Sequence, residues 1–176
     1  MERKRRAQEL HAIWYQAVKN ALRKAPDTLF VCAAGNADSD ASFQQSVPAG
    51  LQLPNPIPVG AVNQAGDETA FTSYGKAVVV HANGYEVESY VPGGETMNLS
   101  GTSMASPNVA NLAAKLFALD PNLTPQKVID LIRKTSTTSE GGRRHLINPK
   151  AAVASLASGQ PDRWSGRTLL ACSQPQ

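Results

Sequence analysis

Ser100-Gly101-Thr102-Ser103-Met104-Ala105-Ser106-Pro107-Asn108-Val109 opens an apolar run that continues through Leu112, Ala113, Ala114, Leu116, Phe117, Ala118 and Leu119. Its pattern predicts a helix that is apolar on nearly every side, and therefore one buried inside a larger fold. Gly101 permits a tight approach to that helix, Thr102 can cap it, and Ser103 falls in its first turn. Unpaired N–H groups and the positive end of the helix dipole favour a developing negative charge there. Pro107 lacks the N–H that would bond the carbonyl four residues back, that of Ser103, which bends the first turns. Serine and threonine before a helix ordinarily serve as caps. A serine set between a glycine and an apolar helix also has the makings of a nucleophile mount.

The rest of the chain bounds what such a serine belongs to. At 176 residues and 41% apolar content, the sequence is one domain or part of one, with enough apolar surface for a core. A net charge of +3 comes partly from two clusters, Arg3-Lys4-Arg5-Arg6 and Arg143-Arg144. Neither is interleaved with aromatics, so no nucleic-acid partner is expected. No apolar run approaches spanning length, so no membrane partner is expected, and the basic start lacks the uninterrupted apolar stretch of a signal peptide. Cys32 lies in an apolar run and reads as a small buried hydrophobe, whereas Cys172 lies in a polar tail, so a pairing between them is not expected.

In chain order, Leu10, Ile13, Trp14, Ala17, Val18, Ala21 and Leu22 recur at the spacing of one helical face, predicting an amphipathic helix over 7–24. Thr28-Leu29-Phe30-Val31-Cys32-Ala33-Ala34 then reads as a strand buried on both faces, as in a parallel sheet. Helix followed by buried strand is the rhythm of an α/β domain. The strand ends at Gly35-Asn36, which is turn chemistry but also the carboxyl end of a strand, where open α/β sheets collect functional groups. Residues 37–56 form a polar loop. Asn36, Asp38 and Asp40 alternate in it, but the EF-hand's central Gly and closing Glu are missing, with Ala41 and Val47 in their places, so no metal is expected.

Pro58 within Ile57–Val62 marks an edge or a strand start, and Ala77–Val80 reads as a further short strand. Glu86–Tyr90 and Glu95–Leu99 alternate around Pro92-Gly93-Gly94 as a hairpin. Thr124-Pro125 and Asn148-Pro149 each open a helix, the second running through Leu156 to Gly159. Residues 135–145 read as a polar loop with His145 exposed, and 159–176 as a linker or disordered tail.

Several of these segments match one family. Gly101-Thr102-Ser103-Met104-Ala105-Ser106-Pro107-Asn108-Val109-Ala110 resembles the nucleophile motif of the subtilisin-like serine proteases, with Asn108 and Asn111 where His and Gly are commoner. Val31-Cys32-Ala33-Ala34-Gly35-Asn36 resembles the segment carrying their oxyanion-hole asparagine. Ile57–Val62, Phe71-Thr72-Ser73-Tyr74-Gly75 and the helices after the nucleophile are also similar to family segments, and Val47-Pro48-Ala49 resembles one that contains a cis proline. The family's Ala-Pro-Gly is replaced here by Ala82-Asn83-Gly84.

The resemblance implies a partial three-layer subtilisin-like α/β fold, mostly parallel sheet with flanking helices, over residues 1–158. It implies Ser103 as nucleophile, Asn36 as oxyanion donor beside the Ser103 N–H, and Ala33, Ala34, Gly35, Gly101 and Thr102 in substrate binding. It implies no cofactor, and peptides or proteins as substrate.

In that family the acid and the general base precede the oxyanion asparagine. Only 35 residues precede Asn36, and His11 and Asp27 stand there in the wrong order and context. His81 follows Asn36 and is read as structural. The resemblance therefore corresponds to the C-terminal half of a catalytic domain, with the N-terminal half and its Asp and His absent. That predicts an open sheet edge, exposed apolar surface on the central helix and an inactive isolated chain. Three readings stay open: the Ser-bearing half of an endopeptidase, a half complemented in trans by an Asp/His-bearing chain, or a non-catalytic remnant or binding module. The sequence leaves the compartment open, a secreted or periplasmic parent being one alternative, and leaves calcium binding open as well.

Overall fold

A helix leads into a strand at the start of the chain, as the hydrophobic spacing requires, in a computed structural model that describes residues 2–42, 47–139 and 142–158. The tail expected at 159–176, with Cys172, lies outside those residues. Helix α1 (Glu2–Arg23) leads into strand β1 (Phe30–Ala33), followed by β2 (Pro56–Val62) and β3 (Val80–Asn83). A hairpin of β4 (Val87–Tyr90) and β5 (Thr96–Leu99) precedes helix α2 (Thr102–Leu119). Then come α3 (Pro125–Thr135), the short strands β6 (Thr137–Thr138) and β7 (His145–Leu146), and α4 (Pro149–Ser158).

The main sheet has the order β1-β2-β3-β7-β6, with β1, β2, β3 and β7 parallel and β6 antiparallel. All seven residues of β2 are buried, as befits the central strand of a sheet covered on both faces. Ile57, Val59 and Ala61 of β2 and Val80 and Ala82 of β3 meet Ala105, Val109, Leu112 and Leu116 of α2. Val128, Ile129 and Ile132 of α3 close this core. Thr124 caps α3 by accepting the Lys127 N–H at 3.3 Å, ahead of Pro125 in the first turn. The Val47–Pro48 peptide bond is cis.

Several expectations are corrected. Pro58 does not mark an edge: β2 lies between β1 and β3. The residue pairing of β2 with β3 begins at Val59↔Val80, so Pro58 faces β3 one step before that register starts. Only its carbonyl is used there, accepting the Val79 N–H at 3.0 Å. The third strand runs Val80–Asn83 rather than Ala77–Val80, because Gly75 to Val78 are held in a turn by the bond from Val78 N–H to the Gly75 carbonyl. The loop expected at 135–145 contains β6 and reaches the start of β7, and His145 is half-buried where β7 joins the sheet. Strand β1 is only partly buried, since nothing pairs with its outer edge among the described residues.

Helix α2 is not buried all round either. Its inner face is sealed, but Ala110, Ala114 and Ala118 are exposed. Small side chains leave little apolar area to demand cover, so the run read as uniformly apolar has an undemanding outer face. Helix α1 differs more. Only Leu22 of its stripe is buried, while Leu10, Ile13 and Trp14 are 59%, 67% and 49% exposed.

What ties α1 to the sheet is one side chain. Asn55, 2% exposed, donates its carboxamide N–H groups to the carbonyls of Leu22, Ala25 and Thr28 at 3.1, 2.9 and 3.3 Å. Those carbonyls terminate α1 and shape the turn into β1; the Leu22 and Ala25 carbonyls also accept the Ala25 and Thr28 N–H groups at 3.2 and 3.1 Å, so Asn55 is a second donor to two of them and the donor to the third. Asn55→Ala is expected to lower the unfolding free energy by about 1–3 kcal/mol. Urea denaturation followed by far-UV circular dichroism would register the loss.

Candidate active site

Strand β1 delivers Asn36 and helix α2 delivers Ser103 to the same place. The two elements are 66 residues apart at their point of contact, where the Asn36 carboxamide oxygen accepts from both the Thr102 N–H and the Thr102 hydroxyl, each at 2.9 Å. The Thr102 hydroxyl in turn accepts the Gly35 N–H at 3.2 Å. With its oxygen committed to Thr102, Asn36 must present its NH2 group elsewhere, and that group lies over Gly101. A Cβ placed on Gly101 would stand 3.3 Å from Asn36 Nδ2 and 3.7 Å from the Ser103 amide nitrogen. The absence of a side chain at 101 therefore opens a small space into which two donors converge.

The start of α2 is seated from the other side by the Gly101 N–H, which donates to the Gly84 carbonyl at 2.8 Å just beyond β3. Ser106 Oγ donates to the Thr102 carbonyl at 2.7 Å, and the Asn108 amide donates to the Asn83 carbonyl at 3.0 Å. Met104 and Ala105 N–H groups both turn to the Gly101 carbonyl, at 2.9 and 3.3 Å. The Ser103 N–H, one of the donors that a helix start leaves unused, has no acceptor among the described residues. Ser103 and Asn36 are exposed to solvent.

Of the residues read as substrate-binding, Ala33 and Gly35 are half-buried at the end of β1, and Gly101 is buried beneath the two donors. Ala34 and Thr102 are fully buried, so neither side chain faces solvent, and Thr102 acts on Asn36. That orienting role was not visible in the motif, because it depends on a contact between two segments far apart in the chain. Among the described residues, no hydrogen bond joins the Ser103 hydroxyl to an imidazole. The chain's three histidines are spent elsewhere: His11 is exposed on α1 beside Trp14 and Tyr15, and His145 contacts Thr138 and, through its N–H, His81.

His81 belongs to a second cluster that sequence reading did not resolve. It is 2% exposed, and its ring lies against Gly60, where a Cβ would come 2.5 Å from Cδ2. Its Nδ1 accepts the His145 backbone N–H at 3.4 Å, which leaves the proton on Nε2. That Nε2 has no hydrogen-bond partner, the nearest carboxylate oxygen being Glu68 Oε1 at 3.9 Å. Glu68 also faces Arg143 at 4.0 Å, and Arg144 donates to the Gly66 carbonyl at 3.0 Å. Glu68, His81, Arg143 and His145 border a cleft of about 610 Å³ that includes Tyr74, Lys76 and Arg133 but neither Ser103 nor Asn36. Burial, with His145 and then Arg144 nearby, lowers the His81 pKa to about 4. Burial pushes the Cys32 thiol up to about 11, in keeping with an inert core residue.

Comparison with known proteins bears on this arrangement. The family model for the subtilase family, peptidase S8, matches residues 2–168. Subtilisin from Bacillus pumilus is 37% identical over 142 residues, covering 78% of this chain and 51% of that protein. A subtilisin-like protease from Coccidioides posadasii is 40% identical over 121 residues, covering 69% of this chain and 28% of that protein. Among solved structures, a serine-to-alanine mutant of the protease domain of PatA superposes with a TM-score of 0.69 at 29% identity, covering 80% of this chain and 53% of that one. The chain thus spans about half the length, or less, of the relatives it matches.

The buried imidazole generates a test of its own. An ordinary histidine titrates near 6.5, so the unfolded chain takes up a proton between pH 6.5 and 4 that folded His81 refuses. Stability from this group is complete above pH 6.5, falls as pH drops toward about 4, and changes no further below that. His81→Leu removes the effect, so the variant should gain about 3 kcal/mol relative to the parent between pH 7 and pH 4. Urea midpoints measured across that range would show the two curves converging or crossing as the solution is acidified.

Proposed function

The chain belongs to the subtilase family, and from that premise we propose that it is the Ser-bearing part of a serine endopeptidase that cleaves peptide bonds through an acyl-enzyme. Residues 1–158 are then the C-terminal part of the catalytic domain. The observation that carries this reading is the convergence of the Asn36 NH2 group and the unused Ser103 N–H on one space beside an exposed serine hydroxyl.

In this mechanism Ser103 Oγ attacks the carbonyl carbon of the scissile bond as its proton passes to a base. The carbonyl oxygen takes up the negative charge and moves into the space over Gly101, where Asn36 Nδ2 and the Ser103 N–H donate to it. Both donors are fixed before the charge appears, Asn36 by Thr102 and the Ser103 amide by its place in the first turn of α2. Collapse of the intermediate expels the amine, which takes the proton back from the base, and water then releases the acyl group by the same steps. Pro107 leaves the Ser103 carbonyl without its helical donor, giving the first turn of α2 freedom to set the serine apart from the helix.

Serine is a poor nucleophile without a positioned base, and among the described residues no imidazole bonds to Ser103. The base and the carboxylate that orients it are therefore supplied by other polypeptide, preceding in the same chain or docked in trans. The same observation favours a second reading, in which the chain is a non-catalytic remnant or binding module.

Fluorophosphonate labelling separates them. The chain by itself is expected to label weakly and to hydrolyse no peptide at a measurable rate. Together with an Asp- and His-bearing upstream segment it should label strongly, and Ser103→Ala should abolish the signal. In that active form Asn36→Ala is expected to lower kcat by about a hundred- to a thousandfold, a size taken from subtilisin itself, with little change in KM. Absence of labelling in every combination would favour the binding-module reading.

A further inference from the structure

We propose that the cleft beside His81, apart from Ser103, is a binding site for an organic monoanion: a carboxylate carried on an apolar body, such as the last residue of a peptide. Its volume of about 610 Å³ is in the range of small-molecule sites, which combine an apolar wall with a few polar groups. Here Val78 and the ring of Tyr74 supply the wall. Tyr74 is 45% exposed, yet its backbone is pinned on both sides. Its N–H donates to the Ser39 carbonyl at 3.0 Å, and its carbonyl accepts the Ala41 N–H at 2.9 Å. A ring left half in water on a fixed backbone offers apolar area for a ligand to cover at little cost in ordering.

Charge sets the sign and size of the ligand. Lys76 comes from the turn before β3, Arg133 from the last turn of α3 and Arg143 from the approach to β7. On the same lining they outnumber the carboxylates of Asp38 and Glu68 by one. One positive charge in excess complements a monoanion, whereas inorganic phosphate near neutral pH brings a further negative charge that Asp38 and Glu68 oppose. Among the described residues, neither the Lys76 ammonium nor the Arg133 guanidinium has an ion-pair or hydrogen-bond partner. The guanidinium's flat fork of donors matches the two oxygens of a carboxylate.

His81 is an independent mark of the same site. Its Nε2–H is a buried donor without an acceptor, a state that native structures rarely leave in place. Glu68 stands between two partners and reaches neither. Its Oε1 is 3.9 Å from His81 Nε2 and its Oε2 is 4.0 Å from Arg143 Nη2, both beyond hydrogen-bond length. A ligand carboxylate that takes over Arg143 releases Glu68 to close on His81. The buried donor then gains its acceptor when the cleft is filled.

Isothermal titration calorimetry of the full chain at neutral pH tests this, with N-acetyl-L-phenylalanine as the probe. N-acetyl-L-phenylalaninamide, which lacks the carboxylate, and inorganic phosphate, which lacks the apolar body, are the comparisons. The probe is expected to bind with Kd below about 1 mM, and each comparison at least about tenfold more weakly. The His81 imidazole proton resonances should shift along the same saturation curve. Lys76 and Arg133 are exposed and bond nothing, so Arg133→Gln and Lys76→Gln leave the packing alone. Each should weaken the probe by about tenfold or more. Arg133→Lys should recover part of the loss, and Lys134→Gln, beside the cleft but not lining it, should change nothing.

No binding of the probe overturns the proposal, and so does binding that survives both Arg133→Gln and Lys76→Gln. An amide that binds as well as the acid shows a merely apolar pocket, and phosphate that binds as well shows an unselective basic patch; either result rejects the assigned ligand class. None of these outcomes bears on the hydrolase reading, because neither Ser103 nor Asn36 lines this cleft.

Discussion

The functional end of this molecule depends on one three-way contact, in which a buried threonine at the head of a helix grips an asparagine at the end of a strand. Thr102 gives the Asn36 oxygen two hydrogen bonds and takes one from the Gly35 N–H. A carboxamide can be flipped at little cost when it faces water, but not when its oxygen is held by two donors. The contact therefore selects which end of Asn36 faces outward. It also fixes how far α2 sits from β1, because Thr102 is fully buried and cannot shift without opening the core around Ala105 and Val109. Packing of helix on sheet and orientation of a polar donor are thus one constraint.

Much of the architecture could be read from the chain because its signals are local. Thr124-Pro125 places a cap and a first-turn proline in order, and α3 begins there. The alternation about Pro92-Gly93-Gly94 gives the β4–β5 hairpin, with both glycines at positive φ. What was misread depends on neighbours. Pro58 sits in a central strand because β3 joins the ladder one residue later, a matter of register between segments about 20 residues apart. The strands β6 and β7 are two residues each, too short to show a period, and exist because β3 offers an edge to His145-Leu146.

The candidate site divides in the same way. Ser103 and Asn36 stood out because each belongs to a recognisable string of residues. The service Thr102 performs did not, since a threonine before a helix is ordinarily a cap for its own N–H groups. Here α2 has no side-chain cap at Gly101, and the Thr102 hydroxyl bonds across to the strand. The His81 cluster was equally hidden. It joins the loop after β2 to the approach to β7 through Glu68, Arg143 and Arg144, three residues with no shared pattern along the chain. Burial of apolar area explains most of the core, but the polar contacts that orient groups are decided by which segments the topology brings face to face.

The contact of the His81 ring with Gly60 has an evolutionary corollary. A methyl group at position 60 would overlap the imidazole, so no residue larger than glycine fits while histidine stays at 81. Exchange at the two sites must follow an order, with 81 giving way before 60 is free to vary. Across related chains the pair should drift as a unit, the bulk gained at one position matched by bulk given up at the other.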